Sequence, residues 1–337
     1  MTKPIQQQVA EFIADWHSDS PTLCVQTSGS TGTPKKMEVR KTQLLESAKM
    51  TCQFFGLKQH DKALLCLPLQ YIAGKMMIVR ALYAELELVS VEPSGHPLAG
   101  IDIEFDFAAM IPLQVYNSLQ TPEERQRLSQ IKQLIIGGGA IDQALEQELS
   151  GFPNAIYSTY GMTETLSHIA LRRISGDEAS LYYTPLPHVR ISLSDEDTLI
   201  IDAPLVSDKT LITNDIAELR ADGTFRILGR KDNVINSGGI KIQIEELERT
   251  LHPHISGNFA ITCIPHPQLG EAVVLLMEDT DKQKIKHKIE QLLPRYQQPL
   301  HIYSVVSIPL TGNGKPNRKA IKILAEQVCS QTGLNHY

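Results

Sequence analysis

Cysteine is scarce: there are five in 337 residues, at positions 24, 52, 66, 263 and 329. The count is odd and no two are spaced C-x-x-C. That argues against a disulfide framework and a structural zinc site, and it points to a reducing compartment. None of the eleven histidines belongs to an H-E-x-x-H pair. The most apolar stretch, 71–91, is broken by Lys75, Arg80, Glu85 and Glu87, which excludes a membrane span. The opening residues, MTKPIQQQVAEF, lack a basic segment followed by an apolar run, so no signal peptide is legible. Positive charge is not in excess: the net charge is -6, leaving no basic field to hold a nucleic-acid backbone. Repeats and low-complexity segments are missing. A cytoplasmic protein with no nucleic-acid or membrane partner is expected.

What is there is ordinary globular material, 42% hydrophobic and 21% charged, long enough for two domains. Apolar runs of strand length at 23–26, 63–67, 86–91 and 134–136 alternate with helical patterns. In Lys41–Phe55, Leu44, Ala48, Thr51 and Phe55 share one face; in 142–149, Leu145 and Leu149 do. The alternation predicts an α/β fold with a largely parallel sheet. After about 180 the texture becomes short strands and turns (Arg190–Leu193, Thr198–Asp202 and 225–228), a small β subdomain. From about 232 the pattern is strand, Gly238-Gly239 turn, strand, helix Ile244–Leu251, strands at 259–264 and 272–278, helix 282–293, strand 302–306 and helix 318–328. That suits a small α+β domain.

Six motifs bear on chemistry. Directly after the run at 23–26 comes Thr27-Ser28-Gly29-Ser30-Thr31-Gly32-Thr33-Pro34-Lys35. Such density of hydroxyls and glycines lets backbone and side-chain donors converge on phosphate oxygens, and Lys35 adds a cation. Pro34 before the lysine excludes a Walker A loop. The bland alternative is a flexible Ser/Gly loop. In Ser158-Thr159-Tyr160-Gly161-Met162-Thr163-Glu164, an aromatic ring beside a glycine suits stacking on a base. Thr163 and Glu164 offer oxygen ligands for Mg²⁺, yet a strand-to-helix turn reads the same way. Ile136-Gly137-Gly138-Gly139-Ala140 is by default a tight turn. Thr213-Asn214-Asp215 offers an acid to ribose hydroxyls, or is a turn. Gly229-Arg230-Lys231-Asp232 precedes Ser237-Gly238-Gly239-Ile240-Lys241. Last, Lys315 sits in the Gly/Asn/Pro loop 309–317 ahead of a helix, alone a solvated basic loop.

In their order along the chain, over about residues 22–320, the six motifs resemble the adenylate-forming superfamily of acyl-CoA synthetases, adenylation domains and luciferases. The resemblance implies a large N-terminal adenylate-forming domain, 1–231, with a parallel sheet and small β subdomain, and a mobile C-terminal α+β domain, 232–337. It implies that Thr27, Ser28, Gly29, Ser30, Thr31, Gly32 and Lys35 hold the pyrophosphate end of ATP. Gly138, Gly139, Ala140 and Tyr160, beside Gly161, match the adenine sandwich. Thr163 and Glu164 match the phosphate and Mg²⁺ position, Glu164 being the metal ligand. Asp215 matches the ribose acid, Arg230 its neighbouring arginine, Asp232 the hinge, and Gly238 and Gly239 the pantetheine channel. Lys315 matches the catalytic lysine that reaches the α-phosphate.

The chain departs from the superfamily in places. The phosphate loop begins at residue 27, so the large domain reads as shortened at its N-terminus. Asn214 stands where glycine is usual in the Thr213-Asn214-Asp215 motif, and Tyr71 replaces a histidine after Leu67-Pro68-Leu69. Within the superfamily the chain is most similar to o-succinylbenzoate–CoA ligases, which implies ATP, Mg²⁺ and coenzyme A and an acyl-AMP intermediate. Tyr71, Lys75, Arg80 and His168 are the candidate substrate contacts. Arg80 is assigned to the second carboxylate, against a bland alternative in which it reaches the surface or pairs with Glu85. Competing readings are another acyl-CoA synthetase, an adenylation enzyme loading a carrier protein, and an ATP-binding sensor. A homo-oligomer is compatible with all of them.

Overall fold

The computed structural model describes residues 3–26, 36–139, 141–255, 257–278, 282–310 and 316–331. Helix α1 (Ile5–His17) precedes a two-stranded antiparallel ribbon, β1 (Thr22–Gln26) with β2 (Lys36–Arg40). Then follow α2 (Lys41–Phe55), β3 (Lys62–Leu65), α3 (Ile72–Ala84), β4 (Glu87–Ser90), β5 (Phe107–Met110), α4 (Pro112–Leu119) and α5 (Pro122–Gln130). Next come β6 (Gln133–Ile136), α6 (Gln143–Ser150), β7 (Ala155–Gly161), β8 (His168–Arg173) and β9 (Thr184–Pro185). Strands β3 to β9 form one seven-stranded sheet in the order β4-β3-β5-β6-β7-β8-β9. It is parallel from β4 to β7 and antiparallel from β7 to β9.

One expectation is corrected here. The run at 23–26 is a strand, but it lies in the separate ribbon and not in the parallel sheet. The main sheet is largely parallel, as the alternation predicts; β8 and β9 return antiparallel, because no helix crosses between β7 and β8 and a short connection can only reverse the chain. The parallel strands are buried on both faces, as in Phe107–Met110, whose four residues are all buried. Helix α6 starts where Asp142 accepts from the Leu145 N–H at 2.8 Å, satisfying a donor the helix cannot.

The small strands after residue 180 are β10 (Arg190–Leu193), β11 (Thr198–Asp202), β12 (Leu211–Leu219) and β13 (Phe225–Arg230), an antiparallel meander. A 3₁₀ turn, Lys231–Asn233, leads on to β14 (Val234–Ser237), β15 (Ile240–Gln243), α7 (Ile244–Leu251), β16 (Phe259–His266), β17 (Gly270–Met277), α8 (Lys282–Leu292), β18 (His301–Ser304) and α9 (Arg318–Gln331). Gly238 and Gly239, with φ of 58° and 82°, make the two-residue β14–β15 turn, where positive φ at both positions favours glycine. One apolar cluster runs from Ile5 to Phe225. Strands β14 to β18 form a five-stranded sheet, in the order β15-β14-β17-β16 with β18 also paired to β17, and two other apolar clusters lie on its opposite faces: Val273, Leu275 and Met277 of β17 belong to one, Val274 and Leu276 to the other.

Candidate active site

Parallel strands end together, and a site forms where their following loops meet. Several of the singled-out residues lie at that edge, and Asp215, Arg230 and Arg80 reach it through hydrogen bonds to Tyr160 and Ser167. Gln26, the last residue of β1, bridges to Tyr71 just before α3. Gly138 and Gly139 follow β6, and Tyr160 and Gly161 end β7, which runs beside β6 in register Ile136 to Ser158. His168 opens β8 at the same edge. Lys75 Nζ donates to the Cys24 carbonyl at 2.8 Å, tying α3 to β1, and burial lowers its pKa.

Tyr160, Asp215 and Arg230 form one constellation. Antiparallel pairing sets Asp215 of β12 opposite Arg230 of β13. Tyr160 Oη donates to Asp215 Oδ2 at 2.6 Å, and Arg230 Nη1 donates to Asp215 Oδ1 at 3.0 Å. Burial and the Asp215 charge push the Tyr160 pKa up, so the phenol keeps its proton. The ring is wedged against Phe225 (5.3 Å, 80°) and Tyr183 (5.9 Å), so its orientation is fixed before any ligand arrives. Asp232 accepts from Arg230 Nη2 at 3.1 Å and from Asn214 Nδ2 at 3.1 Å. The asparagine in the usual glycine position thus links this constellation to the 3₁₀ turn.

After Gly161 the chain makes one 3₁₀ turn, Thr163–Thr165, rather than a helix. Leu166 then adopts φ 64° and ψ −35°, and Ser167 N–H donates to the Thr165 carbonyl at 2.7 Å. This is a γ-turn, rare for a bulky residue because of its backbone strain. It reverses the chain so tightly that a Cβ on Gly161 would stand 2.3 Å from the Ser167 carbonyl oxygen and 2.6 Å from His168 Cα. Glu164 is exposed on the turn. Among the described residues no group of three or more His, Cys, Asp or Glu could hold a metal ion. A single exposed carboxylate beside Thr163 fits Mg²⁺ shared with nucleotide phosphates and water, and not a closed protein cage.

Arg80 is 2% exposed, in the middle of α3. Its Nη2 donates to Ser167 Oγ at 2.6 Å and its Nη1 lies 3.6 Å from Met77 Sδ. Nε has no partner among the described residues, and no carboxylate there pairs with the guanidinium. The alternative of surface exposure or pairing with Glu85 is not what is observed; Glu85 accepts from Gln59 instead. Burial pushes the Arg80 pKa down to about 10, leaving it charged at neutral pH. His168 is buried, with Nδ1 3.3 Å from Ser167 Oγ and Nε2 3.2 Å from Thr51 Oγ1. Sequence reasoning missed Ser167, and it counted Thr51 only as a member of an apolar face. A hydroxyl inside that stripe was the available signal.

The glycine pair Gly238-Gly239 lies in the β14–β15 turn, with Gly238 N–H donating to the Leu269 carbonyl at 2.8 Å. Thr27, Ser28, Gly29, Ser30, Thr31, Gly32, Lys35, Ala140 and Lys315 lie outside the described residues.

The family model described as AMP-binding enzyme matches residues 3–204. The 2-succinylbenzoate–CoA ligase of Escherichia coli strain K12 is 28% identical over 339 residues, covering 94% of this chain and 72% of that protein. A solved acyl-CoA synthetase (AMP-forming)/AMP-acid ligase II-like protein from Dyadobacter fermentans is 33% identical, with a TM-score of 0.66, covering 95% of this chain and 94% of that one. An o-succinylbenzoate coenzyme A synthetase from Bacillus subtilis, solved with ATP and magnesium ion, has a TM-score of 0.73 at 20% identity. It covers 88% of this chain and 69% of its own, and speaks for the fold alone.

Proposed function

The chain belongs to the AMP-binding enzyme family, and from that premise we propose that it is an AMP-forming acid–thiol ligase joining 2-succinylbenzoate to coenzyme A with ATP. The observation that carries the substrate assignment is Arg80, a buried guanidinium with no carboxylate partner among the described residues. A buried cation is costly until an anion meets it. 2-Succinylbenzoate has two carboxylates. When the succinyl one is activated, the ring carboxylate remains to accept from Arg80.

In the first half-reaction a carboxylate oxygen attacks the α-phosphorus of ATP and the bond to pyrophosphate breaks, giving acyl-AMP. In the second the thiol sulfur attacks the acyl carbon and AMP leaves. Asp215, oriented by Tyr160 and Arg230, accepts the ribose hydroxyls. The Tyr160 ring and the Gly138–Gly139–Ala140 turn flank adenine. The 27–35 loop, with Lys35, takes the pyrophosphate end. Tyr71 and Lys75 border the acyl pocket with Arg80 and His168. Thr163 and Glu164 would hold Mg²⁺, which when bound offsets charge on the phosphates. Lys315 reaches the α-phosphate as charge develops there.

We divide the chain at Asp232 into domains 1–231 and 232–337, supported by apolar clusters that, among the described residues, do not run across that position. Rotation about Asp232 exchanges Lys315 for Gly238 and Gly239, which line the thiol channel. The odd cysteine count, with no C-x-x-C pair, supports a reducing, cytoplasmic setting. Among the described residues no helix is long and apolar enough to cross a membrane.

The test is acid-dependent pyrophosphate exchange and thioester formation, with Arg80→Met compared on 2-succinylbenzoate and on its analogue lacking the ring carboxylate. The expected loss in kcat/KM is about 2–4 kcal/mol on the first acid and small on the second. Equal losses would return Arg80 to a structural role and remove the substrate assignment. Absence of exchange with any acid would remove the ligase reading.

A further inference from the structure

Thr51 is fully buried on α2, where a hydroxyl is costly unless bonded. Its Oγ1 donates to the Ser47 carbonyl at 3.1 Å and lies 3.2 Å from His168 Nε2. A hydroxyl has one proton. With that proton on the Ser47 carbonyl, Thr51 accepts from His168 Nε2–H. The ring is neutral, because burial and the Arg80 charge hold its pKa well below the ordinary value. Nδ1 is then an acceptor and takes the Ser167 O–H at 3.3 Å. Ser167 Oγ is left with lone pairs for Arg80 Nη2 at 2.6 Å. Each link uses one donor, and the bonds run in one direction from Arg80 through Ser167 and His168 to Thr51 on α2. The opposite tautomer would leave the Ser167 proton without an acceptor in this chain of bonds.

We propose that Thr51 is a positioning residue for substrate selection: through His168 and Ser167 it holds the Arg80 guanidinium in the orientation that receives the second carboxylate of an aromatic diacid. The inference rests on the reading of Arg80 given above. Met77 Sδ, at 3.6 Å, is a weak acceptor, so Ser167 is the contact that fixes the plane of the fork. Ser167 in turn is fixed by the His168 tautomer, which Thr51 selects. None of these three groups has to touch the reacting carboxylate.

Thr51→Val keeps the shape and removes the acceptor; Thr51→Ser restores it. The readout is the ratio of kcat/KM for the diacid to that for the analogue without the ring carboxylate, with KM and kcat separated. Thr51→Val should lower the ratio about ten-fold, mainly through KM for the diacid. Thr51→Ser should return it to within about two-fold of the wild type. A ratio unchanged in Thr51→Val, or a serine variant that behaves as the valine one, overturns the proposal. Arg80→Met separates the two readings. If it loses the preference and Thr51→Val keeps it, only the relay fails. If Arg80→Met keeps the preference, the assignment of Arg80 fails and the relay with it. Should Thr51→Val not fold, Ser167→Ala tests the last link by the same ratio, and a ratio unchanged there overturns the proposal equally.

Discussion

His168 sits neutral in a corner where a proton would be expensive. Burial, then the neighbouring Arg80 charge, holds its pKa well below 6.5. In the unfolded chain the ring titrates at about 6.5. As pH falls below that value the unfolded state takes up a proton that the folded state refuses. The contribution to stability is therefore fully present above 6.5 and is lost as pH falls toward the depressed folded value. The slope approaches about 1.4 kcal/mol per pH unit. His168→Gln has no proton to take up, so its unfolding free energy should decline less steeply than the wild type between about pH 6.5 and 5. Denaturant titrations across that range check this; parallel profiles would mean that His168 takes up its proton equally in the folded and unfolded states.

Among the elements, the β7–β8 turn does the most positioning. One 3₁₀ turn and one γ-turn place Tyr160, Glu164, Ser167 and His168 within nine residues of each other. The arrangement depends on Gly161, because its missing side chain is where the returning backbone passes. The neighbouring atoms are backbone and cannot turn aside as a flexible side chain would. Gly161→Ala should cost about 1–3 kcal/mol of stability, as forced overpacking does. It should also lower acid-dependent pyrophosphate exchange by displacing Tyr160 and Glu164 together. Urea midpoints and exchange rates, measured side by side, decide the matter. A variant with both values at the wild-type level would show that the turn has room to spare.

For the whole molecule the question is how one site serves two reactions, and the connection at Asp232 is the place to ask. Proline fixes φ near −65° and blocks the dihedral change a hinge needs. Asp232→Pro should impair one half-reaction much more than the other, measured as pyrophosphate exchange against thioester formation from preformed acyl-AMP. Asp232→Ala is the control, since it loses the bonds to Asn214 and Arg230 and leaves the backbone free. Proline-variant rates near wild type in both half-reactions would move the domain boundary elsewhere.

The sequence alone determined what local rules control. Motif order implied the chemistry, the 3.6-residue period placed α2 at Lys41–Phe55, and the glycine pair at 238 and 239 marked a hairpin turn that the backbone adopts. Asp215 and Arg230 were legible as types, and register then set them face to face. Tertiary structure decided the rest. The apolar run at 23–26 does not say that the strand pairs with residues 36–40 rather than joining the parallel sheet; in the ribbon only Leu23 and Val25 of that run are buried, whereas the central parallel strands are buried on both faces. Nor does the apolar context of Arg80 say which way it turns. Its hydroxyl partner is 87 residues away, and Thr51 meets His168 across 117. Propensity and period act over a few residues. The direction of a buried hydrogen bond is set only when distant elements pack and each donor must find its acceptor.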